Sequence, residues 1–459
     1  MTPQLIYNQS IEDSDIHNLC KDLVQYSEIQ PSYYERFDVK RGLRNADGSG
    51  VIAGITRICM VHGYVMSEGE RQPIPGQLIY RGYDINDLIE NAEREDRCVF
   101  EEVAYLLLFG RLPDAADLER MTRSLGLRRE LPPGFLVDSI MQSPSNNIMN
   151  KLARSILSLY SYSDITENTT IEDEMTIALD LIAKMPILMD GAYQAKRHKY
   201  DNASLIMHPL RPEENTAESI LSLIRSDRSY TKAEAQLLDT LLALHADHGG
   251  GNNSTFACRV ATSSGTDPFA AYTSAINSLK GSRHGGANIK VIQMLDDIKA
   301  HVKHWNDEGE VADYLTKILK KEANDGSGLI YGMGHAVYTL SDPRAVILKR
   351  KAMALAAGKE IEREFQLLDL IEKLTPELMK SVRHNDKVVC ANVDMYSGLV
   401  YRMLGIPDEL FTPLFATARM VGWSAHRMEE ILTGKRIIRP AYKAIAKPKE
   451  YVPLCDRDK

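Results

Sequence analysis

The sequence predicts an almost entirely α-helical protein, and three local patterns support this prediction. Residues 231–234 (Thr-Lys-Ala-Glu) form a capping box, in which a hydroxyl and a carboxylate each satisfy an amide at a helix start. Leucines at helical spacing follow until the glycines at 249–251. Asp342-Pro343 and Thr375-Pro376 both have the pattern of a helix N-cap followed by proline in the first turn.

Two more helices are predicted from apolar periodicity and glycine stops. One covers 101–109 and ends at Gly110, and the other covers 411–433 and ends near Gly434. The apolar face of the second helix runs through 411, 415, 418 and 422, and Arg419 lies at its border.

The remaining segments carry weaker signals. A short amphipathic helix is expected over 11–26, before the globular part begins. Strand patterns are rare, and residues 50–66, flanked by glycine and proline, are the best candidate for a short β segment. The polar stretch 197–216 has the composition of a surface loop.

Size and composition exclude several classes of protein. The 459 residues, 44% hydrophobic and 26% charged, provide for a large core and suggest two or three domains. The longest apolar runs are far shorter than the ~18 residues of a membrane span, and the N-terminus has no secretory pattern. Six scattered cysteines without a Cys-x-x-Cys pair argue against a disulfide framework. We therefore expect a cytoplasmic protein without a membrane segment.

The charge balance argues against nucleic-acid binding. The net charge is −8, and Lys and Arg are interspersed with Asp and Glu instead of forming a basic stripe. This overall charge would also mildly repel anionic metabolites. If the substrates are anions, a few arginines in special positions must bind them.

The segment His245-Ala-Asp-His248-Gly-Gly-Gly-Asn252 allows two interpretations. Two imidazoles and a carboxylate lie close together, as in a metal site, but further ligands with recognisable spacing are missing. Alternatively, His245 continues the leucine stripe and is a core residue. His248 lies at the helix end, where glycines allow a ligand to approach the backbone.

Two more glycine-flanked histidines, His284 and His335, leave room for a substrate against the imidazole. Arg344 follows His335 in the first turn of a predicted helix, where amides attract anions and a guanidinium can hold a carboxylate. A solvated surface arginine would fit the same pattern. Asp394 lies between mostly apolar neighbours, where a carboxylate is costly unless it is paired or acts as a base.

In order and spacing, these motifs resemble those of the citrate synthase family from about Gly76 to the C-terminus. Residues 76–88 and 100–108 resemble its early signatures. His248-(Gly)3-Asn, His284-Gly-Gly-Ala-Asn, Gly-His335-Ala-Val-Tyr with Asp-Pro-Arg344, and Asn-Val-Asp394 with Ser-Gly follow in the family's order.

The resemblance implies an all-α fold and a homodimer or higher homo-oligomer. A large domain would comprise 1–284 and 400–459, including an N-terminal extension over 1–48. A small mobile domain, 285–399, would bind coenzyme A and close over the substrates. By analogy, the catalytic residues are His284, His335 and Asp394; the oxaloacetate ligands are His248, Arg344, Arg419 and, from a partner subunit, Arg439; and the coenzyme A contacts are Leu329, Ile330, Gly332 and Asn392.

The implied reaction joins acetyl-coenzyme A to oxaloacetate. Asp394 would remove a proton from the acetyl methyl group while neutral His284 donates a hydrogen bond to the thioester oxygen. His335 would polarise the ketone, and closure would exclude water until citryl-coenzyme A forms. No metal or redox cofactor is implied. One departure is Thr339, which stands where many relatives carry a Lys or Arg for the phosphates of coenzyme A.

Three alternatives remain at this stage. The nearest is 2-methylcitrate synthase, which uses propionyl-coenzyme A, because one methylene gives only ~1–3 kcal/mol of discrimination. The second is a non-catalytic helical scaffold that senses acyl-coenzyme A. The third is a metal hydrolase built on His245 and His248.

Overall fold

The structure, a computed structural model, describes residues 20–457 apart from 22, 26, 46–48, 68–69, 166–168 and 384–387. The helix predicted over 11–26 lies for most of its length outside the described residues. The chain divides into two compact units, one formed by Met1–Ala53 with Arg439–Lys459 and the other by Gly54–Ile438.

The first unit contains little regular structure in its described part. Helix α1 (Pro31–Arg36) begins with proline in its first turn and is followed by a 3-10 turn, Arg41–Leu43. The C-terminal segment has no regular secondary structure up to a 3-10 turn at Leu454–Asp456. The ammonium of Lys443 lies 5.4 Å from the ring centre of Phe37, which joins the two parts of this unit.

The second unit confirms the prediction of a nearly all-α fold. Its helices are α2 (Ile85–Arg94), α3 (Phe100–Phe109), α4 (Ala115–Leu127), α5 (Ile148–Leu159), α6 (Ile171–Tyr200), α7 (Thr216–Ile224), α8 (Lys232–His245), α9 (Asn253–Ser263), α10 (Pro268–Lys280), α11 (Ala287–His301), α12 (Glu308–Leu319), α13 (Pro343–Ala356), α14 (Glu362–Arg383), α15 (Asp394–Met403) and α16 (Phe411–Thr433). A π-helical turn, Leu136–Met141, and 3-10 turns at Tyr160–Tyr162 and Asp408–Leu410 connect some of them. No helix in the described ranges combines the length and apolar character that a bilayer span requires.

A small antiparallel sheet interrupts the helices. Strands β1 (Cys59–Ser67), β2 (Glu70–Tyr80) and β3 (Tyr83–Asp84) pair in the order β1-β2-β3. The β segment predicted over 50–66 therefore starts later, at Cys59, and the sheet continues beyond it through β2 to Tyr80. Prolines 73 and 75 are tolerated inside β2 because β3 pairs only with Ile79 and Tyr80, which leaves the rest of that edge without a partner strand in the part of the chain that the structure describes.

The predicted capping residues at Thr231 and Asp342 and the predicted helix end at Gly110 are confirmed. The Thr231 hydroxyl accepts from the Glu234 amide, and the Glu234 carboxylate accepts from the Thr231 amide (2.8 Å). The Asp342 carboxylate caps α13 by accepting from the Arg344 amide (3.0 Å). Gly110 ends α3 with φ 81°, a conformation that glycine adopts without steric cost.

Two local predictions are wrong. Helix α14 runs through Thr375-Pro376 without a break, and the Thr375 hydroxyl donates to the Ile371 carbonyl oxygen (2.6 Å) instead of capping a new helix. Apolar side chains that are buried before Pro376, and partly buried after it (Leu378, Met379 and Val382), pack against the core, and this packing outweighs the backbone donor that Pro376 lacks. The predicted loop over 197–216 begins only after Tyr200, because α6 extends to that residue.

Helix α16 lies at the centre of the second unit and contacts α3, α6, α8, α9 and α10. It is buried on nearly every side from Phe411 to Met428, as expected for a core helix and not for an amphipathic one. Arg419 therefore does not border an apolar face: its exposed fraction is 0%. Burial of a guanidinium is unfavourable, so its presence in the core requires a specific explanation.

Candidate active site

Asp394 is the first residue of α15 and is largely buried. Burial raises the pKa of its carboxyl to about 6, while the positive charges of Arg344 and Arg419 oppose the rise. The Asp394 amide donates to the side-chain oxygen of Asn392 (3.0 Å), which fixes the start of the helix. The pKa of this carboxyl therefore lies near the physiological pH range, as expected of a residue that acts as a base.

The segment before Asp394 pairs with the segment before His335. The Asn392 amide donates to the Gly332 carbonyl oxygen (2.8 Å) and the Gly334 amide donates to the Cys390 carbonyl oxygen (2.7 Å). The Asn392 side chain adds a bond from Nδ2 to the Gly334 carbonyl oxygen (2.9 Å). Two motifs far apart in sequence are thus joined by a short antiparallel bridge.

The hydrogen bonds of His335 define its tautomer. Its Nδ1 accepts from the amides of Val337 (3.0 Å) and Tyr338 (3.1 Å). An atom that accepts two N–H bonds carries no proton, so the neutral ring carries its proton on Nε2. The ring stacks on Tyr338 at 4.6 Å, and His248 meets it edge-on at 5.1 Å.

His248 is a neutral imidazole in a cationic environment. Burial, followed by the charge of Arg344, holds the pKa of His248 well below its ordinary value. Its Nε2 is buried and has no hydrogen-bond partner among the described residues. A buried ring nitrogen without a partner is costly, which favours a ligand at this position.

Arg344 is buried, with an exposed fraction of 4%, so the alternative of a solvated surface arginine is wrong. Its Nε donates to Oδ1 of Asp342 (3.0 Å) and its Nη2 to Oδ2 (2.7 Å). Two parallel bonds to one carboxylate fix the guanidinium plane. The pair does not use Nη1, which leaves donor capacity for a second anion.

Arg419 is the most unusual cation of the site. Its Nε donates to the His245 carbonyl oxygen (2.5 Å), but Nη1 and Nη2 are buried and have no partner within the described part of the chain. Its positive charge helps to lower the pKa of His284 and His248 and opposes the rise of the pKa of Asp394. The buried carboxylate of Asp247 attracts this charge, but the two Nη groups still lack a hydrogen-bond partner among the described residues, which favours an anionic ligand here.

His284 is neutral at physiological pH, because burial and the charge of Arg419 lower its pKa to about 4. Its Nε2 lies 3.1 Å from Oδ1 of Asn252 and 3.2 Å from Oγ of Ser254, both at the start of α9. The Trp423 indole N–H donates to the same Ser254 oxygen (3.1 Å). Oδ1 of Asn252 can only accept, and it also receives the Ser254 hydroxyl (2.9 Å), so the ring proton lies on Nε2 in this arrangement and is shared between Asn252 and Ser254. His284 is therefore a neutral ring with a single N–H donor.

Ser254 was not among the residues predicted from the sequence. A serine in the first turn of a helix is common, and only its position two residues after the predicted motif residue Asn252 would have drawn attention to it. Its function depends on His284 from another loop and on Trp423 from α16, and these contacts exist only in the folded chain.

The metal interpretation of residues 245–248 does not match the side-chain directions. The fully buried His245 ring packs on Phe415 at 4.3 Å, whereas Asp247 is hydrogen bonded to His426 at 3.1 Å and His248 faces His335. Among the residues that the structure describes, no group of three or more His, Cys, Asp or Glu side chains is arranged to hold a metal ion. His245 is a core residue, as the second interpretation states.

The remaining predicted residues lie as follows. Leu329 is half-exposed and Ile330 is buried. Gly332 has φ 82°, and a side-chain carbon there would lie 2.8 Å from the Met395 sulfur, so only glycine fits. Arg439 is exposed and belongs to the first unit, and its place in the site of a partner subunit stays a prediction.

Comparison with known proteins shows the family of the chain. Residues 46–441 match the family model described as citrate synthase, C-terminal domain. The chain is 32% identical to the citrate synthase of Haloferax volcanii over 427 residues, which cover 92% of this chain and 99% of the relative. It is also 32% identical to the 2-methylcitrate synthase of Shewanella oneidensis, over 83% of this chain and 92% of the relative.

Among solved structures, the fold is similar to that of citrate synthase from Thermoplasma acidophilum in a ternary complex with carboxymethyl coenzyme A and oxaloacetate. The TM-score is 0.73 at 26% identity, and the match covers 91% of this chain and 99% of that one. On the family model, the relatives and the fold together, the chain belongs to the citrate synthase family.

Proposed function

We propose that the protein condenses acetyl-coenzyme A with oxaloacetate and water to give citrate and coenzyme A, the entry reaction of the tricarboxylic acid cycle. One observation carries this proposal: a carboxyl with a pKa of about 6 and an imidazole with a pKa of about 4 both feel the charge of the buried Arg419, whose two Nη groups have no hydrogen-bond partner among the described residues. Such a pair of groups provides an ionised base and a neutral hydrogen-bond donor at the same pH.

In the first step, oxaloacetate binds as a dicarboxylate. Arg419 offers two buried Nη groups, Arg344 offers Nη1, and His248 offers an unpaired Nε2. Arg439 from a second copy of the chain adds a further guanidinium. Two buried arginines repel one another, and a bound dianion relieves this repulsion.

In the second step, Asp394 removes a proton from the methyl group of acetyl-coenzyme A. The enolate that forms carries negative charge on the thioester oxygen, to which neutral His284 donates a hydrogen bond. Because both groups are preorganised in a largely buried site, the developing charge is stabilised without reorientation of solvent. Asp394 is then protonated and the enolate carbon is the nucleophile.

In the third step, the enolate carbon attacks the ketone carbon of oxaloacetate. His335 donates its Nε2 proton to the ketone oxygen as the carbon–carbon bond forms, consistent with Nδ1 being occupied by two backbone amides, and this gives the hydroxyl of citryl-coenzyme A. The methyl proton held by Asp394 balances the proton that His335 has given up. Water then cleaves the thioester of citryl-coenzyme A to give citrate and the free thiol. The reaction exchanges protons but no electrons with the protein, so no redox cofactor is needed.

The proposal includes closure of residues 285–399 as a small domain over a large domain formed by 1–284 and 400–459. Leu329, Ile330, Gly332 and Asn392 are the proposed contacts of coenzyme A. The Asn392 amide already holds the 332–334 segment, so its contribution to coenzyme A is to shape that segment.

A homodimer and a cytoplasmic location are also proposed. Exposed apolar side chains in the first unit favour burial against a second copy, for example Ile52 (89% exposed) and Tyr442 (94%). All six cysteines are free, as expected in a reducing compartment.

The second candidate is 2-methylcitrate synthesis from propionyl-coenzyme A, which the similarity to the Shewanella oneidensis enzyme favours. A thiol-release assay with each acyl-coenzyme A, with and without oxaloacetate, separates the two. We expect oxaloacetate-dependent release with a higher kcat/KM for acetyl-coenzyme A. A clear preference for propionyl-coenzyme A would replace the first candidate by the second, and no release with either would refute both.

A further inference from the structure

Asp247, the residue before His248, begins a chain of buried polar side chains that leads away from the site. Its Oδ2 accepts from the Gly249 amide (3.1 Å) and lies 3.1 Å from Nε2 of His426 on α16. His426 in turn contacts Arg259 of α9. The exposed fractions of Asp247 and His426 are both 0%, and that of Arg259 is 9%. We call Asp247, His426 and Arg259 the Asp247 relay.

The relay has a defined direction of hydrogen bonding. Nδ1 of His426 lies 2.7 Å from Nη2 and 3.2 Å from Nε of Arg259. A guanidinium can only donate, so Nδ1 must accept, and the proton of the neutral ring lies on Nε2. That proton is donated to Asp247.

The outer end of the relay is anchored by carboxylates. Arg259 donates from Nη1 to Glu430 (2.9 Å) and from Nη2 to Glu429. Glu429 also accepts from the Arg57 amide (2.7 Å). Arg259 is therefore fixed on one side by two carboxylates and on the other by His426, and it has little freedom to release the ring.

The inner end of the relay is adjacent along the chain to the residues that provide or hold the proposed oxaloacetate ligands. Asp247 lies between His245, whose carbonyl oxygen receives Nε–H of Arg419, and His248. Its second oxygen, Oδ1, has no hydrogen-bond partner among the described residues and faces Gly422, where a side-chain carbon would lie 2.5 Å away. Helix α16 thus approaches the loop so closely that only glycine fits at 422.

We propose that Asp247 and His426 are positioning residues for oxaloacetate: the Nε2–H of His426 orients the Asp247 carboxylate, and this carboxylate fixes the loop that presents His248 and holds Arg419. Neither residue touches the substrate. The inference rests on the proposed function, since it concerns the affinity for oxaloacetate. Breaking the relay weakens oxaloacetate binding, because Asp247 then loses a hydrogen-bond donor. The loop that carries His248 is then no longer held in a fixed geometry.

Two variants of His426 separate its two hydrogen bonds. His426→Gln retains an N–H group with the reach to donate to Asp247, whereas His426→Asn retains an acceptor for Arg259 but is too short to reach Asp247. Arg427→Lys is the control on the same helix, because Arg427 forms a buried pair with Glu174 (2.7 Å) outside the site. Thermal unfolding compares the stability of the three variants.

The dissociation constant of oxaloacetate, measured by calorimetry without acyl-coenzyme A, is the first readout. We expect it to rise about tenfold or more in His426→Asn, to stay within about threefold in His426→Gln, and to be unchanged in Arg427→Lys. The second readout is the KM for acetyl-coenzyme A at saturating oxaloacetate, which we expect to change little in any variant.

The outcomes are distinct. Equal dissociation constants in the unaltered chain and His426→Asn would overturn the positioning role and leave the proposed function standing. A loss of affinity in His426→Gln as large as in His426→Asn would show that donation to Asp247 is not the operating contact. Failure of the unaltered chain to bind oxaloacetate would overturn the proposed function itself.

Discussion

Oγ of Ser254 lies 3.2 Å from Nε2 of His284, and the same oxygen accepts the indole N–H of Trp423. The indole occupies a lone pair of the hydroxyl, whose proton is donated to Oδ1 of Asn252 (2.9 Å). Nε2 of His284 lies 3.1 Å from the same amide oxygen, so the ring donates its Nε2 proton to the pair formed by Asn252 and Ser254. A single hydroxyl thus couples the core helix α16 to the proposed donor.

Ser254→Ala is therefore expected to lower kcat by about tenfold or more, because the His284 ring loses one of the two contacts that hold it in position. The dissociation constant of oxaloacetate should not change, since Ser254 is not among its ligands. Steady-state kinetics and calorimetry test this. Ser264→Ala, at the exposed end of the same helix, is the control, and an equal kcat in both variants would contradict the role of Ser254.

Asp394→Asn is expected to abolish thiol release from acetyl-coenzyme A and oxaloacetate, because the amide cannot accept the methyl proton. Oxaloacetate binding should remain, since Arg344, Arg419 and His248 are unchanged. A thiol assay combined with calorimetry measures both effects. Retained turnover would refute the assignment of the base.

The pH dependence follows from the same carboxyl. Only the ionised form of Asp394 is a base, and its pKa is raised to about 6, so kcat/KM for acetyl-coenzyme A should fall as the pH drops through this value. His284, with a pKa of about 4, stays neutral throughout and adds no second inflection there. Rates measured from about pH 5 to pH 8 test this. A flat profile would show that the base titrates elsewhere.

Arg439→Ala is expected to raise the KM for oxaloacetate about tenfold or more, through loss of a charged hydrogen bond. Arg436→Ala, another exposed arginine of this segment, is the control. Mixed oligomers of Arg439→Ala and Asp394→Asn subunits test the contribution across subunits. If Arg439 acts on the partner's site, half of the sites in a mixed dimer regain both residues and activity returns; if it acts within its own subunit, none does.

Gly76→Ala is expected to destabilise the protein by about 1–3 kcal/mol. The added carbon would lie 2.2 Å from the Ser341 carbonyl oxygen and 2.6 Å from the Tyr338 ring, and Tyr338 stacks on His335. Chemical unfolding measures the loss of free energy. Gly54→Ala, with no atom within 4 Å, is the matched control, and equal stability of the two variants would contradict the close approach.

Local signals predicted the helices well where they act within one turn. The capping box at Thr231 and the N-cap at Asp342 depend on neighbours two or three residues away, and both form as expected. Thr375-Pro376 has an equally good local pattern, but the packing of α14 keeps the helix continuous. Propensity is a weak prior that tertiary burial overrides.

The sequence by itself determined that the protein is helical, that it carries glycine-flanked histidines and an isolated aspartate, and that these follow the order of one family. These properties are local or linear and need no coordinates. Only the tertiary structure decided that Arg344 pairs with Asp342, that the buried Nη groups of Arg419 have no partner among the described residues, and that Ser254 contacts His284 and His426 contacts Asp247. Such contacts join residues as many as 179 positions apart, and the free energy of burying a charge depends on every neighbour that the fold assembles around it.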